Sequence, residues 1–232
     1  AEIFPGAAAN APGQCTQDID QDGNPDCFFE ISDSYFCEEA VGLSDEIGFD
    51  LVRIPAGVSA VQDYEITRDF LMMNTEVTQL VFETIMGYNP SQHSCSQCPV
   101  EYINANKARH FANLLSEDLG LDTCYDCELT DPTDLSSSAS CTLKVEHQAD
   151  VVSCEGYRLP TEAEWQYAAQ AGYDAHITTQ NSGGEIDTYN SCDSDVLIQA
   201  ETAPTLLTDY AWFCAETSTP QQVAEKLPNP WG

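Results

Sequence analysis

The stretch from Gly156 to Gly172, GYRLPTEAEWQYAAQAG, constrains this chain more than any other part of it. Pro160 lacks a backbone N–H and blocks helix before that point. Thr161 is a good N-cap, and Glu164 three residues on completes a capping box. Glu162 and Glu164 lie in the first turn, where the helix dipole favours negative charge. Trp165, Ala168, Ala169 and Gly172 share one face at spacings of three and four, and Gly172 is a natural stop. The expectation is a strand end, a tight turn, and a helix that buries Trp165 with Ala168 and Ala169 against a sheet.

The rest of the chain must supply that sheet. A length of 232 residues suits one or two domains, and 42% hydrophobic residues suffice for a core. The charge is extreme, with 39 acidic residues against 7 basic ones and a net of -32. Repulsion on that scale opposes a compact state unless salt or bound cations screen it. Two readings follow: an acidic surface suited to a salty medium, or acidic groups that bind calcium. Nucleic acid is excluded as a partner, because phosphate binding needs clustered Lys and Arg. No hydrophobic run approaches membrane-spanning length. The eleven cysteines, at 15, 27, 37, 95, 98, 124, 127, 141, 154, 192 and 214, argue for an oxidising compartment. The expectation is a mature secreted protein whose Ala1 follows a cleaved leader. An odd count leaves one thiol free or paired outside the chain.

Residues 1–14 are rich in Ala, Pro and Gly and read as a flexible arm. Residues 15–48 form a Cys-bracketed acidic segment. Within it, Asp18, Asp20 and Asp22 alternate, Gly23 permits a sharp turn, and Asp26 follows. Calcium takes six to eight oxygens, and close carboxylates with a backbone carbonyl near Asn24 supply several of them. Phe29 stands where an EF-hand has its last Glu, so the loop is closer to the DxDxDG loops of thrombospondin type 3 repeats. The expected ligands are Asp18, Asp20, Asp22, Asn24 and Asp26, with Cys15 and Cys27 stapling the loop. The competing reading is a solvated acidic turn.

Farther on, Phe49–Ile54 alternates as a strand ended by Pro55-Ala56-Gly57, and Tyr64–Met73 reads as a strand or strand pair. Thr78 caps a helix from about 79 to 86 that Gly87 stops. A second helix runs from about Asn104 to Leu115, with Ala105, Ala108, Ala112 and Leu115 as one apolar stripe and Phe111 beside it. Residues 128–153 look like a variable insertion in which Leu143 and Val145 suggest a short hairpin strand, and 173–208 are loop-rich. Cys95-x-x-Cys98 and Cys124-x-x-Cys127 suit a zinc ribbon on spacing alone. His93, His110, His147 and His176 are scattered without HExxH spacing, and no GxSxG elbow or phosphate-binding glycine loop is present.

Taken in order, IPAG, YEITRDFLMM, EVTQ…F…MGYNPS, GYRLPTEAEW, DYAWFC and KLPNPWG resemble segments of the formylglycine-generating enzyme family, also called the sulfatase-modifying factor family. The resemblance covers about residues 49–232. It implies an α+β, irregular and disulfide-rich fold related to that of C-type lectins. Secreted bacterial members commonly carry a CYxC segment with further cysteines before GYRLPTE, so the resemblance and the compartment favour disulfides over zinc. In the enzymes the domain continues past PNPWG into a calcium-binding GNVWEW-like segment, core strands and a cysteine pair that binds copper and makes formylglycine. No residue here matches that pair, so no catalytic residue is assigned, and copper enters only with such a C-terminal half.

The expected function is a secreted, non-catalytic extracellular binding or assembly subunit, capable of forming filaments. Its expected partner is another copy of itself or a completing C-terminal segment. The alternative is the N-terminal part of a copper-dependent oxidase that activates sulfatases. A toxin-like or inhibitor module carries little weight beside a core of this size.

Overall fold

The computed structural model describes residues 47–58, 65–170 and 219–229 without interruption. It also describes strand segments at 30–31, 34–35, 38–44, 178–179, 184–185, 197–199 and 204–206, and residues 209, 211–212 and 231. At its centre is an antiparallel sheet in the order Glu38–Ser44, Ile47–Ile54, Phe70–Met73. Val41 faces Phe49 in the first pairing, which shifts register between Gly42 and Ser44. Leu51 faces Met73 and Ile54 faces Phe70 in the second. Successive side chains of a strand point to opposite faces. Leu51, Leu71 and Met73 therefore enter one apolar cluster, while Val52, Ile54, Phe70 and Met72 enter another.

Each face is covered by a different set of elements. Helices α1 (Gln79–Met86) and α2 (Ala105–Asp118) and the hairpin Tyr125–Leu129/Ala139–Leu143 close the first. Phe82 stacks on Phe111 with centroids 5.3 Å apart and meets Tyr88 edge-on at 5.8 Å. Helix α3 (Glu162–Gln170) closes the second with Tyr167 and Ala168, and Trp231 packs at its margin. This is the expected α+β class.

The caps follow from the sequence. Thr78 accepts from the Val81 N–H, and Gly87 sits at φ 73, the left-handed conformation that glycine adopts without penalty. Asn104 accepts from the Lys107 N–H and starts α2, which runs on to Asp118. Of the expected apolar stripe, Ala108, Ala112 and Leu115 are fully buried, as is Phe111 beside them, while Ala105 at the start of α2 is half-buried.

Two expectations change. Trp165 is 44% exposed and Ala169 is also exposed; the buried set on α3 is Glu164, Tyr167 and Ala168. Residues 164, 167 and 168 share a face, and each residue turns the helix by about 100°, so Trp165 and Ala169 fall outside it. Arg158 pulls Glu164 inward, and that sets the rotation. In the hairpin, Leu143 ends the strand while Val145 begins a 3-10 turn and is exposed. The disulfides expected in place of zinc are present: Cys95–Cys98, Cys124–Cys154 and Cys127–Cys141 take up all six described cysteines. The proposed calcium ligands Asp18, Asp20, Asp22, Asn24 and Asp26, and the 1–14 arm, lie outside the described residues.

Candidate functional site

The signature turn is held from several sides. The Gly156 backbone passes so close to residue 122 that a Cβ there would lie 1.8 Å from the Asp122 carbonyl oxygen. The Tyr157 N–H donates to Ser116 Oγ at 2.8 Å, and that hydroxyl donates to the Ala112 carbonyl at 2.8 Å. The Leu159 N–H donates to the Tyr125 hydroxyl at 3.0 Å. Asn113 in turn donates to the Tyr125 carbonyl and accepts from its N–H, as a neighbouring strand would. Cys124–Cys154 ties the hairpin to the start of the turn.

Arg158 is the largest fully buried side chain, 1% exposed. Its Nη1 and Nη2 donate to the two oxygens of Glu164 at 2.7 and 2.6 Å, a bidentate pair. Glu164 Oε2 also accepts from the Thr161 N–H at 2.7 Å, and the Thr161 hydroxyl accepts from the Glu164 N–H at 3.1 Å. The capping box is thus real, and its acid carries an additional load. Burial pushes the Glu164 carboxyl up, but the Arg158 hydrogen bonds and charge, with those of Thr161, hold it below the ordinary carboxylate value. Composition and periodicity concealed the pair; the signal was an Arg placed two residues before a Pro and six before the capping Glu.

A small cleft of about 140 Å³ opens beside this pair, between the Glu65–Phe70 turn, Val152 and the α3 N-terminus. Arg68 and Asp69 in its lining are also paired. Arg68 donates to Asp150 at 2.7 Å and to the Val152 carbonyl at 3.3 Å. Asp69 accepts from the Ala56 N–H and from Arg53, and the amide first, then Arg53, lowers its carboxyl against the opposing effect of burial. Among the described residues no three His, Cys, Asp or Glu side chains converge as a metal would require. His93 pairs with Glu101 at 3.0 Å, whereas His110 is buried in α2. His147 Nδ1 lies 2.9 Å from Ser153 Oγ, and His176 lies outside the described residues.

The C-terminal segment completes the arrangement. Asn229 Nδ2 donates to the Ala168 carbonyl at 3.0 Å, near the end of α3, and Asn229 Oδ1 accepts from the Trp231 N–H. Lys226 lies over the Trp212 ring at 3.7 Å. A match to the sulfatase-modifying factor enzyme 1-like domain extends over residues 39–232, taking in the sheet, the three helices, the signature turn and this segment.

The chain belongs to the sulfatase-modifying factor enzyme 1-like domain family.

This sulfatase-modifying factor-like domain is 32% identical over 148 residues to the chaperone protein LppX of Paenibacillus barcinonensis, an overlap of 60% of this chain and 51% of that protein. It therefore spans about half the length of the curated relative it matches. Among solved structures it is similar to Treponema denticola variable protein 1, with a TM-score of 0.58 and 25% identity over 84% of this chain and 71% of that one. No helix among the described residues is long and apolar enough to cross a membrane.

Proposed function

We propose that this chain is a secreted binding or assembly subunit that uses a sulfatase-modifying factor-like domain as a scaffold and does not itself make formylglycine. The observation that carries this reading is the state of the signature: Arg158, Thr161 and Glu164 are spent on one another, with Arg158 and Glu164 sealed from solvent. Two groups paired and buried in this way hold the architecture of the turn, and their charges are directed at each other. All six described cysteines are oxidised, which favours an extracytoplasmic setting. A relative that bears the name of a chaperone favours a protein ligand. In this reading Asp18, Asp20, Asp22 and Asp26, with the carbonyl of Asn24, bind one calcium ion that screens part of the negative charge.

Incubation of the purified chain with a CxPxR peptide and copper tests the catalytic side: no mass change is expected, and formylglycine would overturn the proposal. Light scattering tests assembly, with self-association or partner binding expected and an inert monomer counting against it. Calorimetry with calcium should give one site that Asp20→Ala abolishes; unaltered binding by that variant would remove the loop from the account.

A further inference from the structure

The loop Cys95-Ser96-Gln97-Cys98 has a construction that the scaffold does not require. Its two cysteines form a disulfide only three residues apart in sequence. Cys95 is partly exposed, while Cys98 is 2% exposed. The backbone of the loop is fixed independently of the S–S bond. The Cys95 N–H donates to Gln79 Oε1 at 3.1 Å. The Ser96 carbonyl accepts from Leu80 N at 3.0 Å, that of Gln97 from Val223 N at 3.0 Å, and that of Cys98 from Gln79 N at 2.9 Å. Gln79 is itself fully buried and donates to the His93 carbonyl at 2.9 Å, bracing the approach to the loop.

These contacts seat the Cys98 backbone on the first turn of α1, where the loop carbonyls of Ser96 and Cys98 accept from the Leu80 and Gln79 N–H groups. Cys98 Sγ also lies 3.8 Å from the Pro220 carbonyl oxygen, a ready acceptor for a reduced S–H. A loop anchored by its own backbone hydrogen bonds, a partly exposed outer cysteine and an inner sulfur with an acceptor at hand for the reduced S–H together suit reversible exchange.

We propose that Cys95–Cys98 is a redox-exchangeable disulfide whose partner is a dithiol. A partner thiolate attacks Cys95 Sγ, a mixed disulfide forms, and Cys98 leaves as a thiolate and takes up a proton. The partner's second thiolate then attacks its own sulfur in the mixed disulfide and releases Cys95, which is protonated in turn. The partner loses two electrons and two protons, and this chain gains them. The exchange is stoichiometric and needs no bound cofactor.

The native oxidised chain, held under folding conditions in graded reduced glutathione, is alkylated and mapped by peptide mass spectrometry. Cys95 and Cys98 should become labelled about tenfold faster than Cys124, Cys154, Cys127 and Cys141. Equal or slower labelling overturns the proposal, and this arm requires no substitution. In a second arm, Cys98→Ala exposes a lone Cys95 to oxidised glutathione, and Cys95→Ala exposes a lone Cys98. A mixed disulfide at Cys95 that forms about tenfold faster than at Cys98 supports the assigned order. Equal or inverted rates overturn it.

Discussion

Replacement of Glu164 by Gln keeps the shape of the side chain and removes its charge. Arg158 then stays 1% exposed with its cationic guanidinium uncompensated. Both its Nη atoms donate to Glu164 in the native protein, at 2.7 and 2.6 Å. Breaking a buried pair by removing one partner costs about 3–5 kcal/mol. The Gln retains one carbonyl acceptor for the Thr161 N–H or for Arg158, so the lower part of that range, about 3 kcal/mol, is expected. Urea unfolding followed by tryptophan fluorescence measures it. The double replacement Arg158→Met with Glu164→Leu removes both charges and should recover much of the loss, because apolar groups replace a buried pair with little penalty. The pH dependence has a definite sign. The folded carboxyl titrates below its ordinary value, so the pair contributes stability above the unfolded carboxylate range and loses it as pH falls through the folded value. A Glu164→Gln variant within about 1 kcal/mol of the parent would refute the view that this pair locks the turn.

Other perturbations separate the remaining contacts. Gly156→Ala should destabilise by about 1–3 kcal/mol or more, since backbone rather than a movable side chain blocks the new methyl, and a thermal melt reads the loss. Converting Cys124 and Cys154 to Ser opens a loop of sequence separation 30 and should cost about 3.7 kcal/mol by chain entropy, against about 1.9 kcal/mol for the separation of 3 at Cys95–Cys98. Denaturant midpoints of the two double variants check that order. His110 has its pKa lowered by burial, opposed by Glu117 and aided by Lys107. Stability should therefore fall as pH drops below its ordinary value towards the folded one, and His110→Leu should flatten that slope in melts taken between about pH 7 and pH 5.

The helix boundaries were legible because capping is local chemistry. Thr78 with Gly87, Asn104, and Thr161 with Glu164 each announce a terminus through atoms a few residues apart. The order of family segments was legible as well, and it brought the fold class with it. The rotation of α3 was not. Trp165 and Tyr167 are equally plausible as the buried aromatic until Gly57 is known to lie against the Tyr167 ring, where a Cβ would meet the hydroxyl at 2.3 Å. The ion pair escaped for the same reason: an Arg near a Pro says nothing of burial until Ser116, Tyr125 and Asn113 are seen to close around the turn. Disulfide pairing joined Cys124 to Cys154 across the insertion, and no spacing rule gives that connection.

The bond from Asn229 to the Ala168 carbonyl spans 61 residues, and it bears on how the chain is made. At about 5–20 residues per second, roughly 3–12 s separate the synthesis of Ala168 from that of Asn229. During that interval α3 waits with the Ala168 carbonyl unsatisfied by this partner and the Tyr167 ring not yet packed by Trp231. The face of the sheet that carries Val52, Ile54 and Phe70 is thus the last to be sealed on the ribosome, while the opposite face draws its helices from residues already delivered. A ribosome stalled in that window holds a chain whose second face is covered by α3 but still lacks Trp231 at its margin.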